Sequence, residues 1–417
     1  MTMRSVATAI ICLNLLLLPP ASAAEGLDPR KVSVLYTGDP YPGVTPYLSF
    51  TEDAFISVDP IRCYHHGGAA TALADVHKYM RIYMPRSEQE YLNRYDVVLL
   101  SDAYRRAFIP RQLAWFRDSV SEEGFGLAMV AGLDSFGAST SRPAASWSGS
   151  VIEEILPVEV PPPAYHHNWI SPYVSPGGAR INVVEYGNEF MASLPFGSSP
   201  RYLSAFDGQI VLEKPGSDVL ARWGLPQFSN PPCYATWKPE KGRTFAMLHD
   251  WSGSTEFSRW DYYADFSINL VLYLAQRGLP VDYVTVHRYR SNIHSISIGR
   301  SMILSLISFV ESFGGNPQRI DQELVTLDQM VMEAGDLYLD HDFSSAVAAA
   351  EATLDKLKEI EELSVKIKNE ALLWVYIVEW LSVTGVGLLS GFLVWSLMVR
   401  RRLYREVSAT RLSRRLD

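Results

Sequence analysis

Four short stretches of this 417-residue chain put acids, an imidazole and hydroxyls directly after apolar runs. They are Gly38-Asp39, Ser101-Asp102 with Tyr104, Gly132 to Phe136 with Asp134 and Ser135 inside it, and His249-Asp250-Trp251. Carboxylates and a histidine gathered at one point are the material of general acid–base catalysis or of a polar ligand site. Asp and Gly are also the commonest turn residues, for purely conformational reasons. Cys63, in DPIRCYHHGG, is another candidate nucleophile, but no sharp turn surrounds it, and a buried or bridged thiol is the commoner use of cysteine outside the cell. His65-His66 and His166-His167 carry metal-ligating rings. Adjacent strand residues point to opposite faces, so each pair offers one convenient ligand, and the pattern predicts neither a metal site nor a cofactor.

The elements that must position these residues follow from periodicity. KVSVLYTGD (31–39), YDVVLLSDA (95–103), GLAMVAG (126–132), DGQIVLE (207–213) and GRTFAMLHD (242–250) each read as a buried strand ending in a turn or polar residues, and Cys63 lies near the end of a further strand. Helical spacing falls between several of them, over Ala70 to Met84, Pro110 to Glu123 and Trp260 to Arg277. Strands alternating with helices predict an α/β domain over 30–286, a parallel sheet with helices on both faces. Ligands of such sheets bind outside the carboxyl ends of the strands, where all four stretches fall. The predicted ligand-binding set is therefore Asp39, Asp102, Tyr104, Gly132, Asp134, Ser135, His249, Asp250 and Trp251.

After His287 the strand signals stop. Ser297 to Phe313, Pro317 to Leu339 and Asp342 to Leu372 read as helices, a stalk over 297–371 whose Ala-rich face needs partners, either its own helices, another membrane protein or a second copy. Leu381 to Val399 holds 19 residues without a charge, close to the roughly 30 Å of a hydrocarbon core. Trp374, Tyr376 and Trp380 form an aromatic belt before it, giving a transmembrane helix over 372–399 with an interfacial start. The tail, 400–417, carries seven Arg against Glu406 and Asp417, a net of +5, which the positive-inside rule keeps in the cytoplasm.

At the other end, Arg4, an apolar run from Val6 to Leu18 and Ala21-Ser22-Ala23 read as a cleavable signal peptide over 1–23. The expectation is a single-pass type I membrane protein with its N-terminal domain outside the cytoplasm. With Arg4 and the tail set aside, the net charge of −9 becomes −15, which argues against nucleic acid as a partner. Cys12 falls in the signal peptide, and Cys63 and Cys233 can pair in an oxidising compartment or stay as two buried thiols.

YDVVLLSDA with its following helix, GFGLAMVAGLDSFG, WSGSVIEEILPVEV, EKGRTFAMLHDW and RWDYYADFSINLVLYLA, in that order, resemble the class I glutamine amidotransferase-like superfamily, in particular an uncharacterised branch and the related trehalose-utilisation-type domains. The resemblance covers about 30–286 and implies a flavodoxin-like fold. It also implies a catalytic Cys in a G-x-C-x-G turn and a later His-x-Glu pair, a nucleophile exposed beside backbone donors and an imidazole to activate it. Here the turn reads Gly132-Leu133-Asp134-Ser135-Phe136-Gly137, without cysteine. His249 stands where the catalytic His would, and Trp251 replaces the Glu. The expectation is a binding module for a small extracellular ligand, glycan or protein, leaning away from enzyme activity. The alternative is an extracytoplasmic hydrolase or transferase using Asp134 or Ser135 with His249 on a sugar or amide.

Overall fold

The computed structural model describes residues 28–41, 45–63, 73–137, 145–162, 169–170, 178–197, 203–205, 208–251, 256–313 and 315–413. The signal-peptide segment and the pairs His65-His66 and His166-His167 lie outside the described residues. The chain divides into two compact units between His287 and Arg288.

The first unit is α/β. Its strands are β1 (Val32–Gly38), β2 (Ile56–Arg62), β3 (Val97–Ser101), β4 (Gly126–Val130), β5 (Val158–Glu159), β6 (Trp169–Ile170), β7 (Ala179–Val183), β8 (Ser204–Ala205), β9 (Gly208–Gln209), β10 (Leu212–Glu213), β11 (Asp218–Trp223), β12 (Pro232–Trp237) and β13 (Arg243–Met247). Nine of them form one sheet in the order β2-β1-β3-β4-β13-β12-β11-β7-β8. From β2 to β13 neighbours run parallel, and from β13 to β8 they run antiparallel. The sheet is thus mixed, and the wholly parallel sheet expected from the sequence is corrected.

β1, β3, β4 and β13 are buried along their whole length, which is why their sequences are dominated by apolar residues without polar–apolar alternation, Ser33, Thr37, Arg243 and Thr244 being buried among them. The helix Tyr263–Leu274 packs against β1, β4 and β13 and is buried at every position from Asp265 to Leu274. DGQIVLE does not form one strand. It splits into β9, paired with β6, and β10, paired with β5.

Register then aligns the strand ends. Arg62, Gly38, Ser101, Val130 and Met247 are successive cross-strand partners in one row. The residues that follow them, Cys63, Asp39, Asp102, Ala131 and Leu248, therefore emerge at one edge.

Cys63 and Cys233 are both free and buried. One follows β2 and the other lies in β12, five strand spacings away. At about 4.8 Å per spacing this is about 24 Å, far beyond the reach of a disulfide. Of the two alternatives the sequence leaves open, the structure has the two buried thiols and not the bridge.

The second unit is helical. Tyr283–Ser312, which begins in the first unit, Gln318–Leu339 and Phe343–Ser413 are its helices. Ile303, Val310, Leu324, Leu327, Ala350, Leu357 and Ile360 form the buried seam, Tyr289 stacks on Tyr338 at 4.2 Å, and Arg300 grips Asp328 through Nε and Nη2 at 2.8 and 2.9 Å. The first helix starts well before the expected Ser297. The third runs through the expected end at Leu372 without a break. Two helical stretches are long and apolar enough to cross a membrane: Tyr283–Ser312, with a third of its apolar window buried in the protein, and Phe343–Arg402, with none of it buried.

Candidate functional site

Two glycines let the row of strand ends close up. Gly38 has a φ of +128°, and a side chain there would run into the Ser101 carbonyl. Gly132, just past β4, sits so close to the Asp102 carboxylate that a Cβ would overlap it. Asp102 itself takes a φ of 46°, a left-handed conformation that Asp tolerates better than most residues.

Around these glycines the acids are held by short bonds. The Ser101 hydroxyl donates to Asp39 Oδ1 at 2.6 Å, and the Tyr36 hydroxyl donates to Ser101 Oγ at 3.0 Å. The backbone N–H of Asp134 donates to Asp102 Oδ1 at 2.6 Å. Trp147, fully buried, spans the turn by directing its indole N–H at the carbonyls of Ala103 and Asp134, 3.1 and 3.2 Å away. Tyr104 is tied to the end of β2 by its N–H, which donates to the Cys63 carbonyl at 3.3 Å.

Burial, and then the negative charge of Asp250, push the Asp39 carboxyl well above the usual carboxylate range. Asp102 rises in the same way, first from burial, then from Asp39 and Asp250. Asp39, Asp102 and Asp250 thus share one electrostatic field, and the buried pair holds protons at a pH where free carboxyls have lost them. A protonated carboxyl donates a hydrogen bond as well as accepting one.

The proposed base lies in a different setting. His249 is fully buried, with Phe257 edge-on at 4.5 Å. Its Nδ1 is 2.9 Å from the Asp250 carbonyl and its Nε2 is 2.7 Å from the Tyr234 hydroxyl. Burial lowers its pKa to about 4, so the ring is neutral. Only an N–H can face a carbonyl, so Nδ1 carries the proton and Nε2 accepts from Tyr234. Ser135 is also fully buried, and its hydroxyl donates to the Val130 carbonyl at 2.7 Å. The structure therefore brings Asp39, Asp102, Asp134 and Asp250 to one edge without joining Ser135 to His249. Burial also pushes the Cys63 thiol far up, away from the thiolate a nucleophile needs.

Sequence reasoning passed over several residues. Gln209 is fully buried inside the stretch read as a strand; its amide N–H donates to the Gly132 carbonyl at 3.3 Å, and its Oε1 has no hydrogen-bond partner among the described residues. Trp251, already in the predicted ligand set, likewise has its Nε1 buried without a hydrogen-bond partner among the described residues. Tyr263 reaches the Trp251 carbonyl at 3.4 Å, and burial, Asp250 and Asp39 all raise its phenol. A polar Gln within an apolar run was the available signal for Gln209. Tyr36 and Tyr263 had none, because each is separated from its partners by fold and not by spacing. No group of three or more His, Cys, Asp or Glu side chains that could hold a metal ion occurs among the described residues.

Comparison with known proteins gives one family-model match, within this unit. Residues 73–276 match the family model described as "Putative glutamine amidotransferase". No curated protein matches the chain. Among solved structures, a cytoplasmic protein from Salmonella typhimurium superposes with a TM-score of 0.45 at 20% identity, over 58% of this chain and 98% of its own. A second cytoplasmic protein, from Salmonella typhimurium LT2, gives 0.42 at 18% identity over 58% and 99%. A β-galactosidase from Rahnella sp. R3 gives 0.34 at 13% identity over 60% and 32%.

Proposed function

We propose that the glutamine amidotransferase-like domain carried by this chain binds a ligand or partner outside the cytoplasm, tethered by one membrane span, and does not hydrolyse glutamine. One observation carries the reading: the elbow turn has no cysteine, its Ser135 hydroxyl is committed to Val130, and the His249 lone pair is committed to Tyr234. Glutamine hydrolysis by acyl transfer needs a nucleophile joined to a base.

The ligand edge is that of a flavodoxin-like sheet. Its five parallel strands, counted in succession, stand in the order 2-1-3-4-5, and the strand order reverses where β1 and β3 meet. Asp39 and Asp102 sit at that reversal. Carboxyls that both donate and accept suit a compound rich in hydroxyl or amine groups, such as a sugar or an amino compound.

The tether is the third helix of the helical unit. From Leu373 to Val399 its large apolar side chains are open, whereas Tyr283–Ser312 spends Ile293, Ile296, Ile303, Ile307 and Val310 on its own bundle. Arginines 400 to 402 then fix the tail in the cytoplasm by the positive-inside rule.

A hydrolase or transferase using Asp134 or Ser135 with His249 is the second reading. It is favoured by Asp39 and Asp102, whose carboxyls burial shifts in the direction a general acid requires. The full chain, purified in detergent, separates the two when melted against a panel of sugars and amino compounds and assayed for hydrolysis of glutamine, other amides and glycosides. Binding predicts a ligand-dependent rise in Tm that Asp102→Asn removes. Hydrolysis of any panel member that His249→Ala abolishes would overturn the binding reading.

A further inference from the structure

The helical unit ends at a defined height. Gly315, in the turn after the first helix, has the Ala371 side chain against it, so this turn packs beside the third helix at Ala371. Beyond that point the third helix continues alone: Leu373, Trp374, Tyr376 and Trp380 are each more than half exposed. From 372 to 399 the helix measures about 42 Å at 1.5 Å per residue. A bilayer with its headgroup regions is about 40–45 Å thick. The turn at Gly315 is therefore level with the outer headgroup surface.

At this same end the first helix and its turn present Phe309 and Phe313, 42% and 43% exposed and packed edge-to-face at 4.8 Å. Close to them along the chain, Glu311, Asn316 and Arg319 are all exposed. Two open phenyl rings at the tip, with an arginine in the first turn of the next helix, are the composition of an interfacial anchor, whose apolar groups lie about 5–10 Å deep while the cation meets phosphate.

A second copy of the chain is the competing occupant. The small-residue face of the span, Gly387 and Gly391, lies about 160° and 200° round the helix from Ala371 at about 100° per residue. A dimer closed through that face would carry the first helix on its outer side, away from the partner and over lipid.

Resting on the single-span reading above, we propose that the tip of the helical unit, Phe313 followed by Phe309, is immersed in the outer headgroup region of the bilayer that the chain's own span crosses. The unit is then held to the membrane at two points and stands at a fixed inclination to it.

The experiment uses the full chain in phosphatidylcholine/phosphatidylglycerol vesicles, with an environment-sensitive fluorophore on a single introduced cysteine, Phe313→Cys, Ile298→Cys or Leu389→Cys. Cys12 is replaced by Ser in every variant, and Cys63 and Cys233 are buried and stay unlabelled in the folded protein. Nitroxide lipids quench at shallow or deep positions. Position 298, 15 residues before 313 and about 22 Å up the helix, serves as the reference above the surface. The expected result is loss of emission at 313 with the shallow nitroxide, loss at 389 with the deep one, and none at 298. Quenching at 389 without quenching at 313 overturns the proposal and leaves the span intact. Equal quenching at 298 and 313 overturns it in favour of a helix lying flat. An unquenched 313, together with disulfide-linked dimers when the unlabelled Phe313→Cys variant is oxidised, overturns it in favour of a second copy. An unquenched 389 removes the span itself, and the proposal with it.

Discussion

Gly132 and the Asp102 carboxylate occupy adjoining space with no room for a methyl group between them. The contact joins the end of β4 to the end of β3, and it sets where Asp102 stands when it receives the Asp134 N–H.

Gly132→Ala must therefore displace the carboxylate or the turn. A loss of about 1–3 kcal/mol is expected, as for overpacking elsewhere, read by urea unfolding. Gly278→Ala, where nothing lies within 4 Å, is the control and should leave the midpoint nearly unchanged. Equal midpoints for the two variants would show that the strand ends are slack.

Tyr234→Phe removes the one hydroxyl that satisfies His249 Nε2 in a fully buried setting. Leaving that acceptor unpaired is expected to cost about 1–3 kcal/mol. A melting scan of the variant checks it, and the double variant Tyr234→Phe/His249→Phe, which removes donor and acceptor together, should lose less than the sum of the two single variants.

The pH dependence has two limbs of opposite sign. His249 has its pKa lowered from 6.5 to about 4, so as the pH falls the unfolded chain takes up a proton first. The stability it contributes is complete above about 6.5 and is lost as pH falls towards about 4, a swing of about 3 kcal/mol in all. Asp39 and Asp102 are raised above the ordinary 3.8, so their contribution is full below that value and is lost as pH rises through their folded values. Unfolding midpoints from pH 4 to 8 should show His249→Phe flattening the acid limb. Asp102→Asn keeps an oxygen for the Asp134 N–H and should raise stability at the alkaline end. An acid limb unchanged in His249→Phe would show that the ring is solvated in the folded state.

Cys63 and Cys233 predict a simple redox result. Dithiothreitol should leave the Tm unchanged, and alkylation should reach both thiols only after unfolding. A mass two protons lighter in the oxidised folded protein would contradict the strand order.

The parts of the fold visible in the sequence were those whose burial is two-sided. β1, β3, β4 and β13 announce themselves as predominantly apolar stretches because both faces are covered. DVLARW and PCYATW, the strands β11 and β12, neither alternate cleanly nor run apolar, and one starts with proline, so the antiparallel half of the sheet went unread. The meeting of Asp39, Asp102 and Asp250 followed from the strand-end rule alone. The bond between Tyr234 and His249 did not, because it depends on β12 lying antiparallel to β13, with Tyr234 opposite Met247. Whether the two cysteines are bridged stays open in the sequence for a related reason: the answer is the number of strands between β2 and β12, a quantity no spacing along the chain contains.

The third helix of the helical unit runs 71 residues from Phe343 to Ser413 without a proline, about 107 Å of continuous backbone hydrogen bonding. Without a proline no ring is present to kink such a helix sharply, so the part packed in the bundle and the part beyond Leu372 share one axis, and the direction of one fixes the direction of the other.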